Sequence, residues 1–396
     1  MKYTFGLAAY AALALAAPNP TPTIEKKDVS KRAVCASAVT IAPGSNPFAS
    51  RTLHANSFYA SEIAVAAGSM TDASLKTAAE KVAKIGTFLW IDTISKIPII
   101  APTLLEVPCT DIVGLVVYDL PGRDCAAKAS NGELKTGELT RYQKDYIDPI
   151  VAAIKAAPNV AIALLIEPDS LPNLVTNSNL TTCQKSASEY KAGVAYALKN
   201  LNLPNVAMYI DAGHGGWLGW DANLKPGAEM LASVYKTAGS PKQVFGIATN
   251  VAGWNAFSKN PGEFEGTSDA KYNKCQDEKR FIAAFSPLLK TAGMPSHAIV
   301  DTARNGVQGL RLEWGDWCNV KGAGFGVHPT GSTGDSLVDA FVWIKPGGES
   351  DGVSDPSADR YDSFCGHADA FNPSPQAGQW HQAYFEMLIQ NAVPAI

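Results

Sequence analysis

The segment AIALLIEPDSLPN at residues 161–173 constrains the fold more than any other part of the sequence. Its unbroken apolar start is typical of a strand buried on both faces of a parallel sheet. Pro168 has no amide proton for a central ladder, so the strand is predicted to end before it. Glu167 and Asp169 therefore follow the carboxyl end of a buried strand, where α/β folds place their chemistry. Taken alone, the two acids are also explained as a solvated turn and a helix cap.

Six further strands are predicted, and each ends in a polar or ionisable residue. They are residues 87–92, 112–120, 205–214, 244–250, 297–302 and 339–347, with Asp92, Tyr118, Asp119, Asp211, His214, Asn250, Asp301 and Lys345 at their ends. Amphipathic helices are predicted between them, at residues 71–84, 138–156, 186–201, 227–238, 276–292 and 377–391. Alternating strands and helices form βαβ units, so the polar ends should line one rim of a barrel-like parallel α/β fold. A doubly wound open sheet is the alternative, although no glycine-rich nucleotide-binding motif supports it.

The amino terminus has the pattern of targeting and processing segments. Residues 1–16 contain a lysine, an apolar run and a small-x-small site, which indicates a secretory signal peptide. Residues 17–32 end in Lys31-Arg32 and indicate a short pro-segment. Residues 33–396 are then expected to form a single catalytic domain, secreted and extracellular, with a glycosylation sequon at Asn179.

Composition excludes several classes of partner. The net charge is only −4 and no basic stripe is present, which argues against nucleic acid or an anionic membrane surface. His214 near Asp211 lacks further histidines at ligand spacing, so neither a metal nor a cofactor is predicted. Seven cysteines in an oxidising compartment leave at least one unpaired within the chain.

The loop after the second predicted strand adds acids to the same rim. Residues 118–133 read YDLPGRDCAAKASNGE and contain Asp119, Arg123 and Asp124. Arg123 could be a purely structural partner of either acid. Crowded carboxyl groups cannot all ionise normally, so at least one should remain a proton donor near neutral pH. Paired acids of this kind are what glycosidic bond cleavage requires.

Tryptophans support a sugar as the ligand, because indole rings stack on the apolar faces of sugar rings. Five of the eight lie in predicted loops after strands: Trp217, Trp220, Trp254, Trp314 and Trp317. For Trp343 and Trp380 a core position is expected, whereas Trp90 fits either role.

Longer motifs carry a family resemblance. They are YDLPGRDCAAKASNGE, LLIEPDSLPNLVTN, LPNVAMYIDAGHGGWLGW, GIATNVAGWN, WGDWCNVKGAGFG and DAFVWIKPGGESDG. In this order they resemble glycoside hydrolase family 6, and within it the fungal non-reducing-end cellobiohydrolases. The resemblance covers the chain from about residue 46. It implies a distorted, seven-stranded parallel (β/α) barrel that hydrolyses β-1,4-glucan with inversion.

The resemblance also implies catalytic roles. Asp169 matches the general acid, and Asp124 matches the acid that keeps Asp169 protonated. Tyr118 matches a tyrosine that distorts the sugar, and Ser130 matches a serine on a loop that holds the hydrolytic water. Asp351 is the formal candidate for the base, acting through a chain of waters.

Glucan-binding positions are implied for a larger set: Trp90, Asp92, His214, Trp217, Trp317, Lys345 and Glu349, with Trp220 and Asn250 as neighbours. Two disulfides, Cys125–Cys183 and Cys318–Cys365, are implied as staples of long loops that roof the groove. Cys35, Cys109 and Cys275 are extra cysteines, two of which could pair. Full-length loops favour a monomeric cellobiohydrolase acting on cellulose and cello-oligosaccharides. An endoglucanase with an open cleft and a non-catalytic glucan-binding protein are the alternatives.

Overall fold

A computed structural model describes residues 35–396, so the predicted signal peptide (1–16) and the predicted pro-segment (17–32) lie outside the described residues. The strands of the described part form one parallel sheet. They are β1 (Thr52–Leu53), β2 (Leu89–Ile91), β3 (Asp111–Val117), β4 (Ala161–Ile166), β5 (Val206–Asp211), β6 (Val244–Thr249), β7 (His297–Asp301) and β8 (Val338–Val342). The seven predicted strands correspond to β2 through β8. The two-residue β1 was not predicted, because so short a pairing leaves no periodic signal.

The sheet closes almost completely into a barrel. Its order runs from β3 through β4, β5, β6 and β7 to β8, and both β1 and β2 pair with the remaining edge of β3. β1 pairs at the amino end of β3 and β2 at its carboxyl end, so eight segments occupy seven positions. The Phe88 amide donates to the Trp343 carbonyl (2.9 Å), and Trp90 Nε1 donates to the Ile344 carbonyl (2.8 Å). These bonds join the β2 segment to the β8 segment, and the predicted seven-stranded parallel barrel is confirmed.

Helices surround the barrel. They are α1 (Ser57–Ser69), α2 (Ala73–Val82), α3 (Ile100–Leu105), α4 (Leu139–Arg141), α5 (Asp148–Lys155), α6 (Leu171–Thr176), α7 (Thr181–Asn200), α8 (Asp221–Thr237), α9 (Glu278–Thr291) and α10 (Gln382–Gln390). A π-helical stretch, Tyr142–Ile147, joins α4 to α5, so the kink predicted at Pro149 is a widened turn just before it. α8 begins before Pro226, whereas the prediction began after it. None of the helices in residues 35–396 combines the length and apolar character needed to cross a bilayer.

β4 shows why its sequence is apolar throughout. All six of its residues are buried. Ala163 and Leu165 pack with Tyr209 inside the barrel, whereas Leu164 and Ile166 pack in the outer, helix-facing layer. Side chains alternate along a strand, so a strand covered on both faces must be apolar at every position.

A hydrogen-bonded group closes the amino-terminal part of the barrel. The Tyr209 hydroxyl donates to Asp339 Oδ2 (2.7 Å), and His297 Nδ1 lies 2.8 Å from Asp339 Oδ1. Asp339 is buried, whereas the His297 side chain is 45% exposed. The bond to Asp339 raises the pKa of His297 above its ordinary value, while partial burial opposes the rise.

This group predicts a pH-dependent contribution to stability. A histidine pKa that is higher in the folded state stabilises the fold fully below the unfolded value of about 6.5, and the gain is lost as pH rises through the folded value. We expect His297→Gln to lower Tm more at about pH 5 than at about pH 9. Thermal unfolding at both pH values measures the difference.

His328→Gln is the matched control. Burial lowers the pKa of His328, so any stability change on its replacement should have the opposite pH dependence. Equal losses for His297→Gln at the two pH values would show that the charged imidazole does not stabilise the barrel.

Candidate active site

Strained backbone marks the rim at the carboxyl ends of the strands. Asp124, Glu167, Asp169 and Asn250 all adopt left-handed conformations, with φ of 60°, 48°, 58° and 58°. Such conformations cost roughly 1–2 kcal/mol each for residues other than glycine. They persist where surrounding contacts enforce them, which occurs frequently at functional sites.

Asp169 follows β4, and two hydrogen bonds hold its backbone in place. Its amide donates to Asp211 Oδ2 (2.9 Å), and its carbonyl accepts from Asn173 Nδ2 (2.5 Å). Burial raises the pKa of the Asp169 carboxyl well above its ordinary value, and Asp124 and Asp211 raise it further. Arg123 opposes this rise without reversing it. The carboxyl group can therefore carry a proton near neutral pH.

Asp124 is the second acid of the pair. Its side chain is only 7% exposed, and the Ser130 hydroxyl donates a short hydrogen bond to its Oδ2. Burial raises the pKa of Asp124, while the bond from Ser130 lowers it. Asn131 Nδ2 donates to the Asp124 carbonyl (3.2 Å), so the turn presenting the acid is closed on itself.

Tyr118 and Trp90 form an aromatic corner beside the acids. Their ring centroids lie 5.3 Å apart in an edge-on arrangement. The Arg123 guanidinium lies over the Tyr118 ring at 4.2 Å and donates to the carbonyls of Asp92 (2.7 Å) and Ser130 (2.9 Å). Arg123 thus fastens the ends of two predicted strands to the loop after β3. Tyr118, Ser130, Asp124 and Asp169 are brought to one place.

Asp211 was predicted as a strand end but was left out of the predicted catalytic set. It is 1% exposed, and Oδ1 accepts the Gly213 amide (3.3 Å) while Oδ2 holds Asp169. Burial raises its pKa to about 7. The signal that could have identified it was its place at the end of β5, next to the strand that carries Asp169.

Asp351 lies on a buried ion pair. Arg304 Nη1 donates to its two carboxylate oxygens at 3.0 and 2.8 Å. The backbone amide of Asn319 donates to Asp351 Oδ2 at 2.8 Å. The charge of Asp351 acts on Asp169, although it contributes less to the Asp169 pKa than Asp124 and Asp211 do. Arg304 was not predicted, since nothing in its local sequence distinguishes it from a surface arginine.

The side chains around Trp90 form a strongly charged wall, made of Lys345, Glu349, Asp92 and Lys96. Lys345 Nζ lies 5.7 Å from the Trp90 ring centroid and 3.6 Å from Glu349 Oε2. Asp92 pairs with Lys96 at 2.7 Å. Trp90 and Glu349 are half-buried. The wall therefore offers an indole ring flanked by hydrogen-bonding groups of both signs, which suits a hydroxyl-rich ring.

His214, Trp217 and Trp317 are also half-buried. Burial, with a smaller effect of the Arg311 charge, lowers the pKa of His214 to about 3, so the ring is neutral. Its centroid is 6.2 Å from that of Trp217, whose Nε1 donates to Thr176 Oγ1 (2.7 Å). These contacts fix the orientation of the two rings.

Trp220 and Asn250, expected as neighbours of the glucan-binding residues, differ in their surroundings. Trp220 is half-buried, donates from Nε1 to the Gly216 carbonyl (2.8 Å) and packs against Trp314 at 6.0 Å. Asn250 is 0% exposed, and its Nδ2 donates to the carbonyls of Asn255 (3.1 Å) and Asp301 (2.8 Å). Its side-chain amide therefore bonds to the backbone of the loop after β6 and of the end of β7, whereas a place among the glucan-binding residues was expected.

The predicted disulfides Cys125–Cys183 and Cys318–Cys365 are both present. Cys35 pairs with Cys109, a question that the sequence left open, and the remaining described cysteine, Cys275, is buried and unpaired. The first bridge joins the catalytic loop after β3 to α7. The second lies beside Asp351, since Cys318 Sγ contacts the Gly352 carbonyl.

One group with the donor set of a metal site occurs among residues 35–396, next to Trp317 in the sequence. Donor atoms of Asp316, His367 and Asp369 lie within 4.8 Å of one another. His367 Nδ1 is 2.7 Å from Asp316 Oδ1, and the Glu313 amide donates to Asp316 Oδ2 (2.9 Å). These internal bonds account for the arrangement without an ion.

Two fungal proteins illustrate the similarity in sequence. A 1,4-beta-D-glucan cellobiohydrolase, CEL6C, of Podospora anserina is 63% identical, with both chains covered completely. Exoglucanase 3 of Agaricus bisporus is 52% identical over 89% of this chain and 80% of its own.

Solved structures agree with the fold. The catalytic core of the cellobiohydrolase Cel6A from Chaetomium thermophilum superposes with a TM-score of 0.85 at 49% identity, over 89% of this chain and 99% of that one. Cellobiohydrolase II (Cel6A) from Humicola insolens, in complex with glucose and cellotetraose, gives a TM-score of 0.85 at 46% identity, over 89% and 100% of the two chains. The model of the glycosyl hydrolases family 6 matches residues 48–392. This chain is therefore a glycoside hydrolase and belongs to family 6.

Proposed function

We propose that this chain is a secreted, inverting cellobiohydrolase. It hydrolyses β-1,4-glucosidic bonds in cellulose and cello-oligosaccharides and releases cellobiose from non-reducing ends. The observation that carries the proposal is the pair Asp169 and Asp124, two carboxyl groups with raised pKa values beside the Tyr118–Trp90 corner. The names of the relatives and the cellotetraose bound to one of them support the substrate class.

Asp169 is proposed as the general acid. Its protonated carboxyl gives a proton to the glycosidic oxygen as the bond to the anomeric carbon breaks, and positive charge develops on the sugar. Asp124 acts on both events, because its charge keeps Asp169 protonated and stabilises the developing cation. Tyr118 presses on the sugar ring and favours a distorted conformation.

Water attacks the anomeric carbon from the opposite face, which inverts its configuration. Ser130, whose hydroxyl donates to Asp124, is proposed to hold this water. Asp351 is proposed to take the released proton through intervening water. Two hydrogen bonds from Arg304 Nη1 fix the orientation of its carboxyl group. The reaction requires no cofactor.

The aromatic residues and charged residues hold the glucan chain. Trp90, Trp217, Trp220 and Trp317 are proposed to stack on glucose rings, with hydroxyl groups bonded by a second set: Asp92, His214, Lys345 and Glu349. Asn250 is left out of this set because its amide is already fully bonded. The stapled loops are proposed to roof the groove and favour attack at chain ends by a monomeric enzyme. Three disulfides suit an extracellular location, and Asn179 is exposed for glycosylation.

The first prediction concerns the acid. Asp169→Asn should lower kcat on cellotetraose by about 100-fold or more, because the amide cannot donate a proton in place of the acid. Far-UV circular dichroism should be unchanged. Asp221→Asn, at the exposed start of α8, is the control and should keep wild-type activity. Turnover near wild type by Asp169→Asn would reject the assignment.

The second prediction concerns pH. Asp211→Asn keeps an oxygen for the Asp169 amide but removes a negative charge that raises the Asp169 pKa. The rate falls as pH rises through the pKa of a general acid, so the basic limb of the kcat profile should move to lower pH. Burial raises the pKa of Asp211 to about 7, so this residue carries its charge above neutral pH. An unmoved limb would contradict the proposed electrostatic role.

The third prediction concerns stereochemistry and mode. Proton NMR of a cellohexaose digest should show α-anomeric cellobiose first, and a label on the reducing end should stay with the longer product. β-Anomeric product would exclude inversion. A rapid fall in the viscosity of carboxymethyl cellulose at low product yield would favour an endoglucanase, and no sugar release would favour a non-catalytic binding protein.

A further inference from the structure

Glu167 is a fully buried acid that the proposed chemistry does not use. Its side chain is 0% exposed and lies between the barrel rim and the outer layer of helices. The Tyr142 hydroxyl donates to its Oε1 (2.7 Å) from the helical segment before α5. A buried carboxyl group is costly unless it is hydrogen-bonded, so its other contacts show what it does.

The other two contacts are consecutive backbone amides. The Asp119 amide donates to Oε1 (3.3 Å) and the Leu120 amide donates to Oε2 (3.4 Å). Asp119 and Leu120 follow Tyr118 directly and begin the loop that carries Asp124. The Glu167 side chain therefore spans from the end of β4 to the start of the catalytic loop after β3.

The backbone of Glu167 is fixed as firmly as its side chain. Its amide donates to the Val117 carbonyl (2.9 Å), and its carbonyl accepts from Ser170 Oγ (2.6 Å). These bonds hold the left-handed conformation at Glu167, and Asp169 is only two residues further along the chain. Loss of the hydrogen bonds from the Asp119 and Leu120 amides would thus affect both the loop that carries Asp124 and the turn that carries Asp169.

Hydrogen-bond donors around this carboxyl favour its ionised form, whereas burial favours its neutral form. All three side-chain contacts are donors, and Arg123 adds a favourable charge. Burial raises the pKa of Glu167 to about 7, with Tyr142 and the two amides acting against the rise. The nearby Asp119 carboxyl has no hydrogen-bond partner, and burial raises its pKa to about 9. Asp119 therefore keeps its proton to higher pH than Glu167 does, and the carboxyl oxygens of Glu167 face three donors.

We infer that Glu167 is a positioning residue, whose carboxylate clamps the loop after β3 to the end of β4 and so sets the distance of Asp169 from Asp124 and Tyr118. The inference rests on the proposed function, because it assumes that Asp169 gives its proton to the leaving group. It adds a residue that touches neither sugar nor water. A small displacement of a catalytic group is enough to slow an enzyme by about 100-fold.

The test compares two substrates. Glu167→Gln keeps the length of the side chain, but its NH₂ group cannot accept from a loop amide. For cellotetraose, whose leaving group needs a proton, kcat should fall by about tenfold or more with KM within about twofold. For an aryl cellobioside with a dinitrophenolate leaving group, which needs no proton, the fall should be clearly smaller, because misplacement of Asp169 no longer matters and only displacement of the loop with Asp124 and Tyr118 acts. A general loss of structure would lower both rates together, and parallel losses would overturn the inference.

Tyr142→Phe is the matched control. It removes a buried hydrogen bond from the same carboxylate but leaves both loop amides in place. Its Tm should fall, while the ratio of the two kcat values stays at the wild-type value. The inference is overturned if Tyr142→Phe changes that ratio as strongly as Glu167→Gln does. If Glu167→Gln does not fold, Glu167→Asp replaces it, since the shorter side chain keeps the charge but cannot reach the amides.

Asp169→Asn separates failure of this inference from failure of the proposed function. An active Asp169→Asn enzyme would remove the proposed function and the inference together. An inactive Asp169→Asn enzyme combined with a Glu167→Gln enzyme that has wild-type kcat on both substrates would leave the proposed function intact and reject only the clamp.

Discussion

The organisation of this site follows from the cost of placing a negative charge where water is excluded. A carboxyl group withdrawn from solvent keeps its proton unless donors or cations compensate the charge. Asp169 has its backbone amide and carbonyl bonded, but its carboxyl lies near two other acids and is left to hold a proton. Glu167, two residues earlier, receives three donors and is ionised more easily. Neighbouring acids on one turn thus differ in how easily they ionise, because their hydrogen bonds differ.

The parallel barrel is what brings these acids together. β3, β4 and β5 are adjacent and point the same way, so their carboxyl ends deliver Tyr118, Asp169 and Asp211 to one part of the rim. The crowding would be unfavourable without a compensating cation. Arg123 supplies it from the same loop that presents Asp124, while its remaining donors fasten the loop to backbone carbonyls. The same side chain therefore lowers electrostatic repulsion and fixes geometry.

The parts that would hold substrate obey a different rule. Glucan is uncharged, so its site needs flat apolar faces and oriented hydrogen-bonding groups. His214 is held neutral by burial, and Trp217 is fixed by a bond from its indole nitrogen. Lys345 and Glu349 lie close enough to balance each other's charge. Such a wall can bind hydroxyl groups while attracting neither anions nor cations strongly.

The sequence by itself determined the strands, because a strand covered on both faces must be apolar throughout, as β4 is. It also placed Asp169 just after one strand and Asp124 in the loop after another, and motif resemblance assigned them the roles proposed above. Only the tertiary structure showed that Asp211 accepts a hydrogen bond from the Asp169 amide, and that the Asn250 side chain donates to the backbone of Asn255 and Asp301. It also decided that Cys35 pairs with Cys109 and that Arg304 forms an ion pair with Asp351. Local sequence records periodicity and turn chemistry, whereas hydrogen bonds and charge pairs between distant segments exist only after the barrel has brought those segments together.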